Sequence, residues 1–285
     1  MEPELERVRE QQRESWNRFS PGWKKWDRLT MEFMQPMGQE MIRVLNLNEA
    51  DYVLDVACGT GEPGLTIAEK VSRGKVMLTD LSEGMLNIAA EHAALRRINN
   101  IETQVCDVCA LPFSSYTFDA ISCRFGFMFF PDLSLAAREM LRVLKPEGKL
   151  AAAVWDVPEK NFWVTAIMSV INKHMNLPPG DPAAPGMFRC AQDGLMIRLL
   201  CDAGFRNVAV QQVSGKLRAH TTEVYWNMMN EMAAPIVAAL SKASPEIQAT
   251  IKAEVFQIIQ DRYPEGQVDF DSSALIVYGE KERFE

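Results

Sequence analysis

Residues 53–64 read Val-Leu-Asp-Val-Ala-Cys-Gly-Thr-Gly-Glu-Pro-Gly. Gly59, Gly61 and Gly64 stand where an apolar strand would turn into a helix, a spacing that lets backbone close around a ligand. Taken alone, the spacing also satisfies a dinucleotide fingerprint, and an ordinary tight turn satisfies it too. Two carboxylates narrow the chemistry. Asp55 precedes the turn, where a diphosphate would be repelled and a cationic amino-acid head attracted. Asp80 ends the next apolar run and can accept from both hydroxyls of a ribose, each charge-assisted bond contributing ~1.5–3 kcal/mol. An acid there is shared with NAD enzymes and does not discriminate by itself. Truncating Asp80 is expected to weaken the ligand by about 2–4 kcal/mol and to leave folding almost unchanged, on the reading that its carboxylate faces ligand rather than core.

The other reactive side chains are sparser. Of the three histidines, His92 reads as solvated on a helix, and His174 as ending a helix, where the dipole favours a cation. His220, near Tyr225 and Trp226, is the one catalytic candidate, with a structural role as its plainer reading. Cys106 and Cys109 form a lone C-x-x-C. No second such pair and no paired histidines complete a tetrahedral site, so no metal is expected.

The elements that must position these residues follow from periodicity. Residues 1–46 read as helical, with a break at Ser20-Pro21-Gly22. Strands are expected at 52–57, 75–79, 101–106, 118–123 and 150–155. Helices are expected at 62–71, opened by Pro63, after the cap Ser82, and after the cap Asp132. The Asp132 helix carries Leu133, Ala136, Ala137, Met140, Leu141 and Leu144 at helical spacing and ends in Lys145-Pro146-Glu147-Gly148. Alternating strands and helices imply a parallel sheet covered by helices on both faces. Further on, helices are expected at 162–174 and 193–203, separated by the Pro/Gly-rich stretch 177–186, with strands at 208–213 and 274–278. Residues 222–263 read as two helices, too long for a hairpin loop and so a cap.

The chain has 285 residues and a net charge of -8, which disfavours a phosphate backbone as partner. No apolar run reaches the roughly 18–20 residues of a membrane helix. Residues 1–14 are highly charged and lack the apolar stretch of a secretory signal, so the cytoplasm is the default expectation.

The run VLDVACGTGEPG resembles the first motif of class I S-adenosylmethionine (SAM)-dependent methyltransferases. LTDLSEGML (78–86), CDVCALPF (106–113), FDAISCRFGFMFFPD (118–132) and EMLRVLKPEGKL (139–150) continue the resemblance in order. It covers about residues 16–215 and the last strand, and is nearest the ubiquinone/menaquinone-biosynthesis C-methyltransferase-like group. That group spans C-, N- and O-methylation, so the resemblance implies fold and cofactor but no substrate. The implied fold is α/β: a doubly wound, mostly parallel, seven-stranded Rossmann-like sheet with an antiparallel last strand and a helical cap. SAM is the implied cofactor. Asp55 and the Gly59-Thr60-Gly61 backbone would hold its methionyl head and Asp80 its ribose. Leu81 and Met85 would flank the adenosine. Asp107 would accept from the adenine amine and the Val108 backbone bond the ring. Arg124 and Phe125 would lie near the methionine chain and sulfonium. Cys58 departs from the small residues common at its position.

Displacement at a sulfonium needs alignment and exclusion of water more than a dedicated base, so a missing triad is no objection. Aromatic residues crowd the segments near the strands' carboxyl ends. They suggest an apolar pocket for an aromatic or isoprenoid acceptor, lined by Trp23, Phe125, Phe127, Trp155, Tyr225 and Trp226, with ordinary core packing as the plainer reading. The expected organisation is a helical lid (1–46), a SAM-binding core (47–220), a helical cap (221–266) and a last core strand (267–285). The partners expected are a small-molecule substrate and no nucleic acid. Oligomeric state is not legible. An NAD-dependent oxidoreductase and a non-catalytic SAM-binding protein remain as alternatives.

Overall fold

The computed structural model describes residues 2–177 and 181–283, so positions 178–180 of the Pro/Gly-rich stretch lie outside the described residues. Seven strands form one sheet: β1 (Tyr52–Val56), β2 (Lys75–Asp80), β3 (Ile101–Val105), β4 (Phe118–Arg124), β5 (Leu144–Trp155), β6 (Arg206–Ala219) and β7 (Val268–Glu280). Their order is β3-β2-β1-β4-β5-β7-β6. The first five are parallel, and β7 runs antiparallel to both β5 and β6. The expected seven-stranded α/β sheet with a reversed last strand is therefore what forms. Strands β1, β2 and β4 bury nearly every residue, as strands covered on both faces do.

The helices are α1 (Glu2–Lys25), α2 (Asp27–Leu45), α3 (Gly64–Lys70), α4 (Glu83–Arg96), α5 (Leu133–Val143), α6 (Phe162–Met175), α7 (Leu195–Ala203), α8 (Thr222–Met232), α9 (Ala234–Leu240) and α10 (Pro245–Arg262). Ser82 Oγ accepts from Met85 N, and Asp132 Oδ1 from Leu135 N, so both expected caps are in place. Helix α5 buries Ala136, Ala137, Met140 and Val143 on one face.

Several boundaries differ from the sequence reading. Helix α1 runs through Pro21 to Lys25, and the break comes at Trp26. Gly22 serves packing instead of a turn: any side chain there would collide with the Glu231 carbonyl of α8. Helix α3 starts at Gly64 rather than 62, with Pro63 as its cap residue. Residues 145–148 are an irregularity inside β5 and not a loop before it, because Phe118 pairs with Leu144 while Ala120 pairs with Lys149. The cap holds three helices, since the chain turns at Ala233 between α8 and α9. Strands β6 and β7 are longer than expected and pair from Arg206↔Glu280 to Ala219↔Val268. Strand β5 meets β7 only as far as Trp155↔Ala274, so the far end of the β6–β7 pair overhangs the sheet. Phe270 on that overhang is fully buried among the rings of Tyr225, Phe162 and Tyr263, which seats the cap.

Helices α1 and α2 do different work. Helix α2 packs on β4–β7 and buries Phe33, Met34, Met37, Met41, Ile42 and Leu45. Helix α1 packs on α4 and α8.

Candidate functional site

The turn after β1 is held open by backbone conformations that side chains rarely adopt. Gly59 and Gly61 have φ of 55° and 114°, and Ala57 sits at 52° without a glycine's freedom. A Cβ on Gly59 would meet nothing within 4 Å, so the turn borders open space at Gly59, while Thr60 and Gly61 are buried. Gly64 does the opposite. A Cβ there would lie 2.6 Å from Asp55 Oδ2, so its glycine lets α3 close onto β1.

Asp55 is fully buried at the end of β1. Its Oδ2 accepts from Gly64 N at 2.9 Å and its Oδ1 from Ser122 Oγ at 2.5 Å. Burial pushes the carboxyl up to about 7, with the Ser122 hydroxyl and the Arg124 charge acting the other way. Asp80, 9% exposed, accepts from Gly59 N at 3.0 Å and Ser82 N at 2.8 Å. Burial raises its carboxyl too, against the backbone N–H groups of Ser82 and Gly59. The two carboxylates therefore brace the turn between them. The expectation that Asp80 carries no folding energy needs correction, because its loss would orphan two N–H groups.

The remaining cofactor candidates gather along the same edge. Met85 and Val108 are buried, and Leu81 is partly buried. Asp107 accepts from Cys109 N at 3.0 Å and pairs with Arg9 Nε at 2.6 Å. Arg124 ends β4, and its Nη2 donates to the Met31 sulfur at 3.3 Å. Burial pulls its guanidinium down, while Glu62, Asp55 and Asp27 pull it up. Phe125 has φ of 60° and stacks on Trp155 with ring centres 4.1 Å apart.

The aromatic candidates separate into groups. Trp155 joins Phe125, Phe33 and Trp163 in one block. Trp23 packs on Trp16, which meets Phe129 edge-on. Phe127 is fully buried against Phe130. Tyr225 is fully buried, donates to the Trp163 carbonyl and packs on Phe270. Trp226 packs on Phe256 and lines a cavity of about 470 Å³ between α8, α9 and α10. Ring contacts thus place Trp23, Trp155, Tyr225 and Trp226 in distinct clusters.

His220 is exposed at the end of β6. His92, read from sequence as solvated, instead bonds the Thr60 carbonyl at 3.0 Å and lies 3.9 Å from Asp27. His174 pairs with Glu254 at 2.7 Å, joining α6 to α10. Burial pushes both C-x-x-C thiols up to about 12, as in unreactive reduced cysteines.

Sequence reasoning missed a row of α1 contacts. Arg9 reaches Asp107, and Asn17 Oδ1 accepts from Ser82 Oγ at 2.7 Å and Gly84 N at 3.0 Å. Lys25 and Trp26 both bond Glu231. At the start of α2, Asp27 accepts from Thr60 Oγ1 at 3.1 Å. In a charged helix such as α1, no spacing marks Arg9 or Asn17 as different from its neighbours.

Comparison with known proteins agrees with this geometry. A family model described as a methyltransferase domain matches residues 53–148. A demethylmenaquinone methyltransferase of Listeria monocytogenes is 33% identical over 126 residues, covering 44% of this chain and 53% of that protein. Its Bacillus cereus counterpart is 34% identical over 113 residues, covering 39% and 48%. The chain thus spans about half the length of the curated relatives it matches. Among solved structures, the YcgJ protein of Bacillus subtilis superposes with a TM-score of 0.56 at 20% identity, covering 87% of this chain and 98% of that one. A Haemonchus contortus phosphoethanolamine N-methyltransferase 2 in complex with SAM gives 0.52 at 17%, covering 87% and 52%. At these identities the structural likeness is one of fold. A methyltransferase domain model thus matches residues 53–148, and around them the sheet takes the Rossmann-like order β3-β2-β1-β4-β5-β7-β6 shared with the solved methyltransferase-fold structures.

Proposed function

We propose that this chain transfers the methyl group of SAM to a small, apolar aromatic acceptor of quinol or phenol type. One observation carries the reading: a glycine turn that borders open space at Gly59 is braced by two buried carboxylates at adjacent strand ends. The cofactor supplies an electrophilic methyl group on a sulfonium. The residues present fit it. Gly59 N and Gly61 N already donate to Asp80 and the Cys58 carbonyl, so within the turn the Thr60 N–H is the one that suits a carboxylate; Asp55 suits the nearby ammonium, and the remaining lone pairs of Asp80 suit a ribose diol. Leu81, Met85 and Val108 would form the apolar walls around the adenine. Asp107, paired with Arg9, would share its carboxylate with the adenine amine. Helix α1 (within 1–46) and the cap (221–266) would exclude water above the 47–220 core and the last strand (267–285).

The aromatic block of Phe125, Trp155, Phe33 and Trp163, next to the β4 edge, supports a flat apolar acceptor. The names of the curated relatives, demethylmenaquinone methyltransferases, point the same way. The net charge of -8 supports a small molecule over nucleic acid as partner. Among the described residues no helix is long and apolar enough to cross a membrane. The test is turnover of SAM to S-adenosylhomocysteine against a panel of quinols, phenols and amines. Methylation of a quinol or phenol is expected, and turnover confined to amines would refute the acceptor class.

A further inference from the structure

Arg124 is a cation with no ion-pair partner among the described residues, although three carboxylates lie close enough to act on it. Among the described residues its one side-chain hydrogen bond is to a thioether, a weak acceptor. The carboxylates that act on it are committed elsewhere. Asp55 is held by Gly64 and Ser122, Glu62 by Arg96, and Asp27 by Thr60. Among the described residues none forms an ion pair with it. A second donor, Trp23 on α1, is also idle among the described residues. The Trp23 indole nitrogen is shielded from solvent and has no hydrogen-bond partner among the described residues. Its ring reaches, through Trp16, the turn after β4 at Phe129. A ligand opposite Arg124 must therefore bring a negative charge on an oxygen acceptor.

The next residue says what kind of molecule carries that charge. Phe125 stacks on Trp155, which stacks on Phe33 at 5.6 Å, so the cation adjoins a flat aromatic block. We infer that Arg124 is the counter-ion of an ionised ring oxygen, a phenolate, on the methyl acceptor. This rests on the reading of the chain as a methyltransferase of aromatic acceptors. Holding the phenolate form places negative charge on the oxygen and on the ring carbons conjugated with it, which are the nucleophilic atoms such a transfer needs. The proton released on binding passes to bulk water.

The test uses the whole chain with S-adenosylhomocysteine bound and 4-nitrophenol as probe, whose phenol and phenolate forms absorb differently. In the wild type the apparent pKa of the bound probe should fall by about one unit or more. Arg124→Met, measured on protein saturated with S-adenosylhomocysteine, should abolish that fall. Arg124→Lys should restore part of it, and Arg124→Gln serves should the Met variant fail to fold. An unchanged fall in the neutral variants overturns the inference. So does loss of S-adenosylhomocysteine affinity with the fall retained, which would assign Arg124 to the cofactor's carboxylate. A wild type that binds S-adenosylhomocysteine but not the probe removes the phenolic acceptor and this inference together. A wild type that binds no S-adenosylhomocysteine removes the methyltransferase reading itself.

Discussion

The glycine-turn edge and the helices that cover it are built on different principles. At the edge, Asp55 and Asp80 have both oxygens engaged by backbone or a buried hydroxyl before any ligand arrives. Over it, α1 is held at exposed sites by Asn17–Gly84 and Lys25–Glu231, with the Arg9–Asp107 pair more enclosed. Buried, fully paired groups hold one geometry, whereas exposed polar tethers each contribute little and release readily. On the proposed function, the difference means that the cofactor side would be preorganised and that adaptation to an acceptor would belong to the cover.

The comparison breaks most visibly at two tryptophans. Trp226→Ala empties a buried site between α8 and α10 and should lower stability by about 3–5 kcal/mol in chemical denaturation. Trp23→Ala, at a partly buried site on α1, should cost much less stability and instead reduce turnover per folded molecule. Equal stability losses would show that α1 is core and not cover.

At the edge, Asp80→Ala should weaken SAM by about 2–4 kcal/mol in titration calorimetry and also destabilise the chain by roughly 1–3 kcal/mol. Unchanged stability would mean that the Gly59 and Ser82 N–H groups find other partners.

Asp55 gives the edge a pH signature. Burial raises its carboxyl from 3.8 to about 7, so the folded chain holds this proton more tightly than the unfolded chain. Its contribution to stability is full below about pH 4 and is lost as pH rises to about 7. Asp55→Asn, whose amide can donate to Ser122 and whose oxygen can accept from Gly64 N, should flatten that segment of the stability profile. A cationic ligand head favours the ionised form, so SAM should bind more tightly as pH rises through 7, with proton release that the Asn variant lacks.

The smallest effect belongs to the tethers. Asn17→Ala removes the acceptor for Ser82 Oγ and Gly84 N and should cost about 0.5–1.5 kcal/mol of closure. It should appear as faster S-adenosylhomocysteine release in stopped-flow, with the melting temperature nearly unchanged.

What was legible in the sequence follows the same division. Strand β1, the glycine turn, Ser82 and Asp132 announce themselves because one local rule decides each: apolar runs, positive φ, or an N-cap. Alternating elements implied a parallel sheet between helix layers, whereas the seven strands with a reversed last one came from the family resemblance. Pro21 misled because a proline read as a break sits inside a helix whose path is set by Gly22 packing against α8. The overhang of β6–β7 was invisible because its extra residues alternate with exposed ones and are stabilised by Phe270 meeting rings from distant helices. His92, Asn17 and Arg9 were missed for a related reason. Their partners lie far along the chain, and no periodicity encodes such meetings.

The central claim is that the braced glycine turn is a SAM site. Calorimetric titration of the wild-type chain with SAM, and separately with NADH, tests it most directly. The account expects one SAM bound per chain and no heat from NADH. Binding of NADH without SAM would contradict it.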